Sequence, residues 1–234
     1  MRKYAVAFIL ILPLLATVSS RANAIDECCG CDCSYPDLHR LAKQGDVKAQ
    51  CDLGVICLWN PSCPNDQTEG IKWIRKAAEQ GYVGAQRALA NAYRAGNGVP
   101  QDMTAAAEWE RKAAEQGDPN AQVTLAVYYR AGLGVTQHYG EAAKWYRKAA
   151  ERENASGQWG LGSCYASGQG VPRDYIHAHM WFNLAQSKLT LSSTDSIIRQ
   201  LIREEQDLVE SKMTPAEIAE AQRLAREWKP KKEK

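Results

Sequence analysis

Apolar residues return at every third or fourth position along most of this chain, with charged residues between them, and the whole pattern repeats after 36 residues. Trp73 opens the stretch WIRKAAEQG, Trp109 opens WERKAAEQG, Trp145 opens WYRKAAERE and Trp181 opens WFNLAQSKL; the first two agree at eight of nine positions. A spacing of three to four is the stripe of an amphipathic helix. A fixed period of 20–50 residues marks stacked supersecondary units, none of which can bury its apolar face alone.

One unit shows how the helices are delimited. Asp118 followed by Pro119 supplies a side-chain acceptor at the N-cap and a preset φ at the first helical position. Ala121, Leu125, Tyr128 and Tyr129 form the apolar stripe of the helix that follows. Gly132-Leu133-Gly134-Val135 ends it, because two glycines so close favour a turn. A second helix from about Tyr139 carries Ala142, Trp145, Tyr146, Ala149 and Ala150 on its apolar side. The equivalent helices upstream run out at Gly81 and Gly117, placed for the left-handed conformation that glycine adopts cheaply. Ala49, Ala85, Ala121 and Gly157 stand 36 apart, where helices must approach closely. The tryptophans are expected to fill the space between neighbouring hairpins, each burying ~150–250 Å². The class is therefore all-α, an α/α solenoid of stacked helical hairpins.

The pattern AQ-x-x-L-(A/G)-x-x-Y-x-x-G-x-G-V-x-x-D followed by A-x-x-W-x-x-K-A-A-E-x-G resembles the Sel-one-like (SLR) repeats, relatives of the tetratricopeptide repeats. It is best matched at 85–117 and 121–151, and well in the first helix of 157–189. It is degenerate at 49–81, where Asn60-Pro61-Ser62 replaces the paired glycines, and Leu38 to Gly45 looks like the second helix of a half unit. The solenoid is expected over 37–190. Beyond it the period fails, and residues 191–229 read as a C-terminal helical cap. Ile197, Ile198, Leu201, Ile202, Leu208 and Val209 make one amphipathic helix, and Thr214-Pro215-Ala216-Glu217 starts another. MTPAEIAEAQRLAREW looks like the closing helix of many bacterial members of that family. Residues 230–234 are a basic tail.

The first 24 residues read as a secretory signal peptide: Arg2 and Lys3, an apolar run from Ala5 to Leu15, then Ala22-Asn23-Ala24. An uncleaved anchor is the alternative, but the run falls short of the roughly 20 apolar residues a span needs. Export to the periplasm or beyond is the expectation, with no membrane span in the mature chain. The chain has 29 Lys+Arg and 27 Asp+Glu; losing Arg2, Lys3 and Arg21 leaves 26 against 27, net −1. Such a balance gives no general attraction to nucleic acid.

Cysteines crowd the N-terminal part: Cys28, Cys29, Cys31 and Cys33 in the 25–36 segment, then Cys51, Cys57 and Cys63, with Cys164 far downstream. In an exported chain disulfides are the default. Cys57 and Cys63 flank the Asn60-Pro61 loop and are the expected pair. The CCGCDC tetrad is expected to bridge back to Cys51, and Cys164 to be a buried thiol. Four thiols in six residues could instead hold Zn²⁺ or Cu⁺, but the spacing does not match paired C-x₂-C arms.

No catalytic constellation or cofactor motif appears. His177 and His179, two apart on a helix, face different ways and are expected at the surface, and Gly162-Ser163-Cys164 is helical, not a nucleophile elbow. The expected function is that of a non-catalytic scaffold for a protein or peptide partner. Resemblance to the tetratricopeptide repeats implies that first helices line a concave groove, at Arg87, Asn91 and Arg94, then Asn120, Val127 and Arg130, then Trp159 and Ser163. Arg94 and Arg130, 36 apart, would form a ladder for carboxylates, with Trp159 as a contact anchor. Two alternatives stand beside it. Some cysteine-rich members of the family bind or hydrolyse β-lactams, although they carry a cysteine pair in each repeat; a thiol-based metal or redox protein centred on CCGCDC is the other.

Overall fold

The structure is a computed structural model that describes residues 36–59, 67–190 and 193–230. Eleven helices are present among them: α1 (Pro36–Gln44), α2 (Val47–Trp59), α3 (Gln67–Glu79), α4 (Val83–Ala95), α5 (Met103–Glu115), α6 (Pro119–Ala131), α7 (Tyr139–Glu151), α8 (Ala155–Ser167), α9 (Tyr175–Lys188), α10 (Ser193–Glu210) and α11 (Pro215–Glu227). From α4 to α9 the starts of alternate helices are 36 residues apart. From α1 to α10 each helix pairs with its sequence neighbour, and hairpins stack in order. Among first helices α2 packs on α4 and α6 on α8, whereas no two second helices pack to that extent. The first helices are thus the inner row.

The caps follow from the residues that end each helix. Asp118 accepts from the Ala121 amide, Asn154 from Gly157, Asp174 from His177, and Asp102 from Thr104 and Ala105. Gly81 and Gly117 hold φ of 88° and 90°. In the inter-helix loop Gly132 and Gly134 hold φ of 72° and 67°, so the left-handed turn read from that glycine pair is present.

Equivalent positions build equivalent core. Leu89, Leu125 and Leu161 are all fully buried, as are Ala85, Ala121 and the paired alanines of the second helices. Gly157 stands in place of the alanine where the helices come closest; a Cβ on it would lie 2.6 Å from the Ala149 Cβ and 2.9 Å from the Ala150 nitrogen. The widest fillers are Tyr128, Tyr146 and Phe182, each 0–1% exposed. Of the tryptophans expected to do that job, two lie in the core and two stand at its edge. Trp73 and Trp109 are half-buried, Trp145 and Trp181 buried. The ammonium of the lysine one turn later covers the ring, at 3.7 Å for Lys112 over Trp109 and 3.8 Å for Lys148 over Trp145. Such stems cover apolar surface while the charge stays in water.

Polar ladders lock hairpin to hairpin. Arg75, Arg111 and Arg147 donate to the hydroxyls of Tyr93, Tyr129 and Tyr165, at 2.8, 2.8 and 3.0 Å. Buried Gln50, Gln86 and Gln122 donate to the carbonyls of Ala42, Ala78 and Ala114, and Gln80 and Gln116 donate back to Gln50 and Gln86. Gln50 and Gln86 thus both donate and accept, and buried amides so satisfied rigidify a stack instead of weakening it.

The end of the stack is closed by α10, packed on α8 and α9 where the first helix of another repeat would stand, and by α11 on α9. Ile202 and Val209 are its buried residues on α10, and Trp228 meets Trp181 edge-on at 5.6 Å. Thr214 and Glu217 form a reciprocal capping box with Pro215 behind it.

Candidate interaction groove

The inner row carries the eight positions implied by the tetratricopeptide resemblance, and they divide into two groups. On α4, Arg87, Asn91 and Arg94 are half-buried. Arg87 Nε lies 3.4 Å from Asp118 Oδ1, and Arg94 donates to Asn91 Oδ1 at 3.3 Å. Asn120 is exposed and accepts from Asn154 at 3.1 Å. These remain within reach of a partner.

In the second group Val127 and Trp159 are buried, whereas Arg130 and Ser163 are half-buried like the residues of α4. Val127 is only 7% exposed and Trp159 2%. Trp159 is therefore not a contact anchor; it lies in the core at the α8–α10 junction. Ser163 donates to Glu205 of α10, and Arg130 lies within electrostatic reach of the same carboxyl. For Trp159 and Ser163 the reason is the terminal helix, whose packing on α8 no repeat period announces.

Two carboxyls with raised titration lie near these residues, Glu110 fully buried and Glu205 half-buried. Glu110 of α5 is 2% exposed, at the position that Ile74, Tyr146 and Phe182 occupy in the other second helices. Burial pushes its carboxyl up to about 8, Arg87 and Arg94 oppose the shift, and Asp118 adds to it. Glu205 is raised chiefly by burial too, against the Ser163 hydrogen bond and the charge of Arg130. Both were missed at the level of sequence, although aligning the second helices in phase singles out Glu110 as the one charge at a core position.

His179, expected at the surface, is fully buried. Its Nε2 meets Glu210 Oε1 at 2.6 Å and its Nδ1 meets Asn183 at 3.0 Å, with Gln206 bridging the group. The helix α9 is covered by α8, α10 and α11, so it has almost no outer face. His177 is exposed as expected, paired with Asp174 and stacked on Tyr165.

Cys51 and Cys164 are buried free thiols, each held near 11 mainly by burial. The expectation for Cys164 is met; Cys51, expected to bridge to the tetrad, carries a free thiol. Cys57 is buried. Its expected partner Cys63 lies outside the described residues, as do Cys28, Cys29, Cys31 and Cys33 and the signal-peptide pattern. Among the described residues no three metal-ligating side chains converge, and no helix is long and apolar enough to cross a membrane.

Helical hairpins stacked at a 36-residue period define a helical-repeat scaffold. The Sel1 repeat model matches residues 47–82, 83–118, 119–154 and 155–185, and the chain belongs to the Sel1 repeat family. Among solved structures it is similar to c5321, a protective antigen present in uropathogenic Escherichia coli strains displaying an SLR fold. The identity is 41% over 65% of this chain, the TM-score 0.62, and the match spans 32% of that longer protein. It is also similar to a Sel1 repeat protein from Oxalobacter formigenes, 25% identical over 81% of this chain and 76% of the other, with a TM-score of 0.61. No curated protein matches. Sel1 repeats generally serve as protein-interaction scaffolds and are typically non-catalytic.

Proposed function

We propose that this chain is an exported scaffold that holds an acidic segment of a partner protein against the inner face of its first helices, without catalysing a reaction. The observation that carries this reading is the row Arg87, Asn91, Arg94 on α4, with Asn120 on α6. Inner-row side chains here are polar and only partly covered, whereas those nearer the C-terminus are spoken for by α10. Arginine suits the task, because its planar donors match a carboxylate and its charge does not titrate away. Export rests on the signal-peptide pattern of residues 1–24.

The test is affinity capture from a cell-envelope extract with residues 25–234, unaltered and as Asn91→Ala/Arg94→Ala. A partner retained by the first and lost from the second, with melting temperatures within a few degrees, supports the groove. Identical capture profiles would remove it.

A further inference from the structure

The inner face carries its own counter-charge. Arg87 and Arg94 of α4, Asp118 at the start of α6 and Tyr128 of the same helix are the charged and titratable groups within electrostatic reach of the buried Glu110. Glu110 Oε2 is sealed from solvent and has no hydrogen-bond partner among the described residues. Arg87 Nε is equally sealed, with its ion pair to Asp118 but no hydrogen bond. Three other second helices put Ile74, Tyr146 or Phe182 here, so the stack does not need an acid at this place. One repeat on, Arg130 has Glu205 as its neighbour, an acid brought by a different helix to the same arginine position.

With Arg87, Arg94 and Asp118 charged, the cluster sums to zero when Glu110 is ionised and to +1 when it is neutral. An arriving carboxylate makes the second arrangement electroneutral and the first one net negative. With Glu110 buried and its charged neighbours half-covered, a second negative charge is poorly screened there and the balanced form is favoured. We infer that binding of an acidic segment at Arg94 is coupled to the uptake of one proton by Glu110. The coupling is reciprocal: what favours the neutral acid favours the anionic partner, and the partner favours the neutral acid. The burial that raises Glu110 to about 8 keeps the unliganded groove mostly in its receptive form at neutral pH. The inference rests on the groove reading above and adds to it the partner's chemistry, anionic and not basic, and a pH limit to its binding.

The probe is a hexaglutamate peptide carrying tetramethylrhodamine on its amino terminus, whose own charge is constant from pH 7 to 10. Its anisotropy on titration with the mature chain gives Kd at each pH. The expected profile is flat at the acid end, then weakens about tenfold per pH unit once Glu110 titrates, as one-proton linkage requires. Glu110→Gln keeps the affinity and loses the slope; Arg94→Ala loses the affinity at every pH. Should Glu110→Gln fail to fold by circular dichroism, Glu110→Leu restores the residue class of the neighbouring repeats and serves the same purpose. Carboxyl ¹³C NMR of the unaltered chain gives a direct readout, an upward shift of the Glu110 titration when peptide is added. Binding with a flat profile, or a slope that survives Glu110→Gln, overturns the proton coupling and leaves the groove standing. No binding at any pH overturns both.

Discussion

The loop glycines of the third repeat offer a sharp test of stacking, because Gly132 and Gly134 share a left-handed backbone and differ in what lies beside them. An alanine Cβ at Gly132 would meet Gln137, its nearest atom 3.3 Å away in the same loop. At Gly134 it would lie 1.9 Å from the Met103 carbonyl oxygen and 2.9 Å from the Thr104 amide nitrogen, at the start of the second helix of the repeat before. The same approach recurs at Gly170 on Tyr139 and at Gly98 on Gln67. Alanine in the left-handed region costs ~1–2 kcal/mol, offset by ~0.4–1 kcal/mol for a less flexible unfolded chain. That leaves about 1 kcal/mol for Gly132→Ala. Gly134→Ala adds an overlap with backbone that cannot rotate aside, worth a further ~1–3 kcal/mol. At roughly 2–4 °C per kcal/mol for a domain of this size, the melting temperature falls by about 3 °C in the first variant and about 10 °C in the second. Urea and thermal unfolding followed by circular dichroism read both. Equal losses in the two variants would mean that consecutive hairpins do not meet at this loop.

Other consequences are open to simpler checks. Tyr129→Phe removes the acceptor for Arg111 and should cost about 1 kcal/mol in urea unfolding, as should Tyr93→Phe and Tyr165→Phe. Glu110 is raised in the folded state, so its contribution to stability is fully present below pH ~4.5 and is lost as pH rises through about 8. Glu110→Leu should therefore flatten the fall in stability between pH 6 and 9, measured by denaturation at each pH; an unchanged fall would assign it to other groups. Ile202→Ala opens a cavity under α10 at a cost of ~2–5 kcal/mol, and hydrogen exchange should quicken along α10 before the repeats respond. Cys51 and Cys164 should resist iodoacetamide at pH 8 in the native protein and react after denaturation; native labelling of either would contradict their burial.

The repeat architecture was legible because every signal agreed: stripe, cap and glycine recur in phase, as Asp118-Pro119, Leu125 and Gly132 do in one unit. What escaped was set by long-range packing. The tryptophans read as core because they recur, which holds for Trp145 and Trp181, whereas Trp73 and Trp109 stand at the rim, the latter under Lys112. His179 and Trp159 looked outward on a regular repeat and became interior because α10 and α11 cover the last hairpin. Glu110 could have been found by asking which repeat breaks the apolar rule at 74, 110, 146 and 182. Glu205 lies three residues from Ile202 and four from Val209 on α10, so its place on the buried side was available from helical spacing. That it would meet Ser163 depended on how α10 docks, which no local pattern encodes.

The central claim is that equal hairpins are added side by side along one direction. Lys72, Glu108 and Lys144 are exposed, 36 apart, and equivalent on three successive second helices. Spin labels attached there through an unnatural amino acid leave the cysteines untouched, and pulsed dipolar spectroscopy measures each pair. The account predicts matching distances for 72–108 and 108–144 and a clearly longer one for 72–144. A 72–144 distance no longer than a single step would contradict it.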